Sequence, residues 1–159
     1  MKSIIPALAG LLMLGGCVSA GASGAVSPLA NDVRDNARIT VVSLSSAPDN
    51  VSAEFKETFE GAVRGQLGKC ATGSQALTLE VTLDGFTAPN LIAAYMVPMA
   101  SKVSGVARLR DAGGAVVGEY RIERSLTMGG TFGVAAAANA EVNMSNAFGE
   151  ELCKQAFKA

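Results

Sequence analysis

Gln75-Ala76-Leu77-Thr78-Leu79-Glu80-Val81-Thr82-Leu83-Asp84-Gly85-Phe86 decides how this chain folds. Leu77, Leu79, Val81 and Leu83 alternate with Thr78, Glu80, Thr82 and Asp84, a period of two that gives a strand one dry face and one wet face. Upstream, residues 37–44 are rich in β-branched side chains and read as the first strand. Pro48 and Asp49 then build a turn, and a helix follows with Asp49, Asn50 or Ser52 as its cap and Glu54 in the positive first turn. Val51, Phe55, Phe59, Val63, Leu67 and Cys70 recur at spacings of four and three, the stripe of a helix lying on a core. Gly61, Gly65 and Gly68 each cost roughly 1 kcal/mol against Ala in an exposed helix, so they point to close packing on a sheet.

Downstream of the central strand, residues 103–111 and 116–128 read as two further strands. Asp111-Ala112-Gly113-Gly114 forms the hairpin loop between them. Arg108 and Arg110 share the solvent face with Glu119, Arg121 and Glu123, where opposite charges on neighbouring strands help to set register. Gly129-Gly130-Thr131-Phe132-Gly133 ends the last strand and leads into a final helix over 134–157, with Val142, Phe148, Leu152 and Ala156 on one side. The glycines lack the G-K-[ST] ending of a phosphate loop and do not match the dinucleotide pattern. Ala135 to Ala138 are small enough for close packing on another backbone. The order is β-α-β-β-β-α, an α+β fold: one four-stranded, largely antiparallel sheet with both helices on one face.

The N-terminus carries the address. Leu14-Gly15-Gly16-Cys17 ends an apolar run that begins at Ile4 behind the positive Lys2. It resembles the lipobox of bacterial lipoproteins: an aliphatic residue, two small residues and the cysteine that receives lipid. The resemblance implies a signal peptide over 1–16, lipidation of Cys17 by palmitate-type acyl chains, and an N-terminal membrane anchor. Val18 stands where lipoproteins retained in the inner membrane often carry Asp, which implies the outer membrane, with the domain facing the periplasm. Val18-Ser19-Ala20 also offers an ordinary signal-peptidase site, and an uncleaved anchor is a third fate. Residues 17–36, dominated at first by Ser, Gly and Ala, show no apolar periodicity and read as a flexible tether to a single domain over 37–159.

The lipobox, Phe55-x-x-x-Phe59, and Gly105-Val106-Ala107-Arg108-Leu109-Arg110-Asp111 running into Gly118-Glu119-Tyr120 are similar to small proteobacterial outer-membrane lipoproteins of uncharacterised envelope families. The lipopolysaccharide-transport accessory lipoprotein has a comparable arrangement of sheet and two helices, an analogy of fold that transfers no function.

Composition narrows the chemistry. The 159 residues carry a formal net charge of −1, without a basic cluster, so neither nucleic acid nor anionic lipid is drawn by charge. Histidine and tryptophan are absent and tyrosine occurs twice. The commonest general base and metal ligand are therefore missing, which disfavours an enzyme, and no catalytic residues, cofactor or metal site are expected. With Cys17 acylated or cleaved away, Cys70 and Cys153 remain, a candidate disulfide in an oxidising periplasm. In the expected order both helices run back along the sheet in the same direction, so their C-terminal ends, and these cysteines, finish together.

One segment fits no plain element. Residues 87–101 are apolar, flanked and interrupted by Pro89 and Pro98, and too short to span a membrane. One reading is a short helix in which Leu91, Ile92, Tyr95 and Met96 close the open end of the core. The other is a contact loop for a partner protein or lipid, with Met96 and Met99 as adaptable contacts. The expected function is a non-enzymatic accessory or assembly subunit docking to another envelope component. The alternative is a carrier module holding a lipid or other apolar ligand between helices and sheet.

Overall fold

The alternation at 75–86 forms a strand as expected, and the computed structural model, which describes residues 23–157, shows what surrounds it. This strand, β3 (Gln75–Thr87), lies between β2 (Ala37–Ser46), which runs parallel to it, and β4 (Met99–Arg110), which runs antiparallel. β4 pairs antiparallel with β5 (Val116–Met128), in one register from Met99 opposite Met128 to Leu109 opposite Gly118, and a bulge then sets Arg110 opposite Val116. β4 begins four residues before the expected start: Met-Ala-Ser after a proline lacks apolar alternation, yet it pairs with the end of β5. In the hairpin, Asp111 Oδ1 accepts from the N–H groups of Gly113 and Ala115, each at 2.9 Å, and Gly114 takes a φ of +84°.

Four strands become five. β1 (Gly24–Ser27) pairs antiparallel with β5, completing the order β1-β5-β4-β3-β2, and α1 (Asn31–Asn36) follows it. Residues 24–36 are thus built into the fold rather than left as tether. Ser23 Oγ exchanges hydrogen bonds with the Glu123 backbone, 2.9 Å each way. Leu29 is buried, and its N–H donates to the hydroxyl of the buried Tyr120 at 2.9 Å, satisfying that phenol. Backbone pairing needs no side-chain pattern, so Gly-Ala-Val-Ser gave no strand signal. Cys17 and the expected signal peptide over 1–16 lie outside the described residues.

Helix α2 (Phe55–Leu67) buries Phe55, Phe59, Val63 and Leu67 along the expected stripe. Its cap position is Glu54, without a side-chain cap: Asn50 instead donates to the Phe86 carbonyl, and Ser52 binds the Glu141 carboxylate. Gly61 and Gly65 face open space and do not mediate close packing. The close approach comes from α5 (Ala140–Ala156), where a Cβ on Gly149 would stand 2.9 Å from Gln66 Cβ and 3.2 Å from Val63 Cα. The expected final helix is two: α4 (Gly130–Ala138) is separated from α5 at Asn139, whose φ of −113° is not helical.

Helices α2 and α5 pack against each other and against the apolar side of the sheet. Phe59 meets Phe148 edge-on at 5.3 Å and Phe55 meets Phe86 at the same distance, so aromatic edges fill the interior. Both helices run the same way, and Cys70 and Cys153 are joined by a disulfide at their C-terminal ends, with Cα atoms 5.9 Å apart.

Candidate functional site

The register of the sheet divides the molecule into two ends. At one, β3 starts, β4 ends and β5 begins beside the disulfide. At the other lie α3 (Leu91–Met96) and α4, because Met99 after α3 pairs with Met128 before α4. No charged residue occurs between Asp84 and Lys102 or between Arg124 and Glu141, so both connections at this end are charge-free.

Pro89 and Pro98 bound α3, and Asn90 caps it by accepting from Ile92 N–H at 2.9 Å. The helix turns its smallest face inward. Ala94 is its buried residue, and Gly133 of α4 approaches so closely that a Cβ there would lie 2.7 Å from the Ala94 carbonyl oxygen. The large side chains point outward. Ile92 is 77% exposed and Met96 73%, while Leu91, Tyr95 and Val97 are also exposed. Met99, at the start of β4, is half-buried. A short helix therefore forms in 87–101 as one reading expected, but Leu91, Ile92, Tyr95 and Met96 do not close the core with it.

Sequence reading missed the other half of this surface. Phe132, on the first turn of α4, is 78% exposed, and Met128 is exposed beside it. Their signal was the charge-free interval from Arg124 to Glu141, hidden because the glycines there resembled a plain connection. Leu126, Met128, Phe132 and Val142 also line an open groove of about 540 Å³ between α4, α5 and the end of β5. Phe59, Phe148, Leu79 and Ile122 fill the space between helices and sheet and are fully buried.

The wet face of the sheet is a lattice of ion pairs. Arg108 reaches Glu119 at 2.7 Å, Arg110 reaches Glu80 at 2.8 Å and Arg121 reaches Asp84 at 2.9 Å. Hydrogen bonds from Arg110 and then Ser45 hold the Glu80 pKa below the ordinary glutamate value. Ser104 first, then Arg121, lower that of Asp84 against the opposing effect of burial. On the outer strand, Glu60 accepts from Leu44 N–H at 2.8 Å and Lys56 donates to the Leu44 carbonyl at 2.9 Å. Burial works to raise the Glu60 pKa, but the Leu44 N–H, Lys56 and Arg64 together lower it. The Lys56–Glu60 pair thereby occupies edge groups that would otherwise invite another strand. Among the described residues no three His, Cys, Asp or Glu side chains converge as a metal site, and no helix is long and apolar enough to cross a membrane.

No protein-family model and no curated protein sequence matches this chain. Solved structures do. A PelC dodecamer from Paraburkholderia phytofirmans aligns with a TM-score of 0.56 at 12% identity, covering 86% of this chain and 99% of its own. A point variant of that dodecamer aligns with a TM-score of 0.53 at 15% identity, covering 86% and 98%. The chain shares its fold with PelC. A candidate lipoprotein from Caulobacter crescentus CB15 aligns more loosely, with a TM-score of 0.42 at 17% identity over 71% of this chain and 82% of its own.

Proposed function

We propose that the protein is a lipid-anchored, non-enzymatic accessory or assembly subunit of the bacterial envelope, facing the periplasm from the outer membrane and docking through its uncharged end. One observation carries the docking role: large apolar side chains on α3 and α4 stand in solvent above a core that is already filled. A carrier needs room between helices and sheet, and the packed phenylalanines there speak against it. The fold of PelC, a dodecamer, fits a subunit that works against neighbours. The Leu-Gly-Gly-Cys motif supports the anchor, and the Cys70–Cys153 disulfide fits an oxidising compartment.

Placing a photo-crosslinking residue at Ile92 in cells tests the docking role. The expected result is an adduct to protein or lipid at Ile92 and none from the same residue placed at Val116 on the opposite end. Equal labelling at both positions, or none at Ile92, overturns it. Palmitate-analogue labelling tests the anchor independently: it should be lost in Cys17→Ser.

A further inference from the structure

We infer that the component met by the uncharged end is the lipid bilayer holding the protein's own anchor, so that the domain stands end-on with α3 and α4 in the headgroup region. The inference rests on the docking reading and on acylation of Cys17. Its independent support is where the chain enters the fold. β1 runs antiparallel to β5, and Ser23 sits beside Glu123, five residues before Met128. Traced backwards, β1 therefore points at Ser23 towards the α3–α4 end, from a position roughly 17 Å short of it at a strand's rise. Six residues separate Cys17 from Ser23, and six residues span at most about 20 Å. An acyl chain on Cys17 thus has its interface within reach of this end, whereas the disulfide end lies a further length of sheet away.

The side chains match that position. Ile92, Met96 and Phe132 are apolar, and Tyr95 belongs to the amphipathic aromatics favoured at membrane interfaces. Charge is missing from both connections, so no ion must be desolvated when they enter. Lys102 is the first charge along β4, exposed and without an ion pair among the described residues. It stands three residues, roughly 10 Å, from Met99. Interfacial segments bury their apolar face by about 5–10 Å, which puts the Lys102 ammonium level with the phosphates.

The chain contains no tryptophan, so one introduced indole reports alone. The full chain with its native anchor is reconstituted into phosphatidylethanolamine–phosphatidylglycerol vesicles, with and without bromine high on the acyl chains. Phe132→Trp is compared with Val116→Trp at the opposite end, both positions being exposed. The expected result is a blue shift at position 132 and loss of most of its emission in brominated vesicles. Emission at position 116 stays unchanged, and adding Ile92→Asp with Met96→Asp to Phe132→Trp lifts the quenching. A blue shift at 132 that bromine does not quench, together with crosslinked homo-oligomers, makes the occupant a second copy. That outcome overturns the bilayer assignment and leaves the docking reading standing. Solvent-like, unquenched emission at 132 overturns both. Equal quenching at 132 and 116 overturns the end-on orientation.

Discussion

The two ends of the domain solve opposite problems. At the disulfide end, Cys70 and Cys153 tie the C-terminal ends of α2 and α5 together across 83 residues of sequence. At the uncharged end, α3 and α4 are held by the closeness of Ala94 and Gly133, and their large side chains are left in solvent. One end carries a covalent tie, whereas the other presents large apolar side chains to solvent over the same continuous core. Substitutions at the first should therefore change melting without changing docking, and substitutions at the second should do the reverse.

The largest effect belongs to the disulfide. Replacing both cysteines, Cys70→Ser with Cys153→Ser, should lower stability by about 2–5 kcal/mol while the Ile92 crosslink persists in whatever fraction stays folded. Thermal unfolding with and without reductant checks this, and an unchanged midpoint would show that α2 and α5 need no tie. Next comes Gly149→Val, which forces a branched side chain against Gln66 and Val63. A loss of about 1–3 kcal/mol is expected by chemical denaturation. Gly61→Ala works the other way. Its surroundings are open, so helix propensity alone acts and the gain should be about 0.5–1 kcal/mol.

Acid should weaken the sheet more gradually. The folded-state pKa values of Glu60, Glu80 and Asp84 are lowered, so their contribution is fully present above the ordinary values of 4.5 and 3.8. It is lost as pH falls through the folded-state values, when the unfolded chain binds the protons first. Denaturant midpoints measured downward from pH 6 should fall, and Glu60→Gln should flatten part of that slope. The smallest stability effect is expected from Met96→Asp. Its midpoint should stay within about 0.5 kcal/mol of the native chain, while docking, read by crosslinking from Ile92, drops sharply. A large loss of stability instead would mean that α3 is held by more than Ala94, and the contrast between the ends would fail.

Where side-chain periodicity reports burial, the sequence was legible. Leu77 to Leu83 on β3 and Phe55 to Leu67 on α2 carry their faces openly, and Cys70 with Cys153 followed from the direction of the two helices. Where backbone does the work, it was not. β1 is held by main-chain pairing and by Leu29 against Tyr120, and nothing in Gly-Ala-Val-Ser announces that. The glycines taught a related lesson: those on α2 are surface positions, while Gly149 and Gly133, which bring elements close together, look no different in sequence. At the candidate site, Leu91, Ile92, Tyr95 and Met96 were singled out by their apolar run between prolines. Phe132 and Met128 joined them only through the β4–β5 register, a long-range fact.

The clasp of β1 on β5 also has a mechanical side. A pull on Ser23 directed along the axis of β1 is borne in shear by the pairs at Gly24, Ala25 and Ser27 together, rather than peeling them one at a time. Behind them Leu29, seated in the core with its N–H on Tyr120, acts as a stop against sliding. Under the proposed anchor, tension from the membrane would thus be spread across the sheet edge instead of being concentrated on one bond.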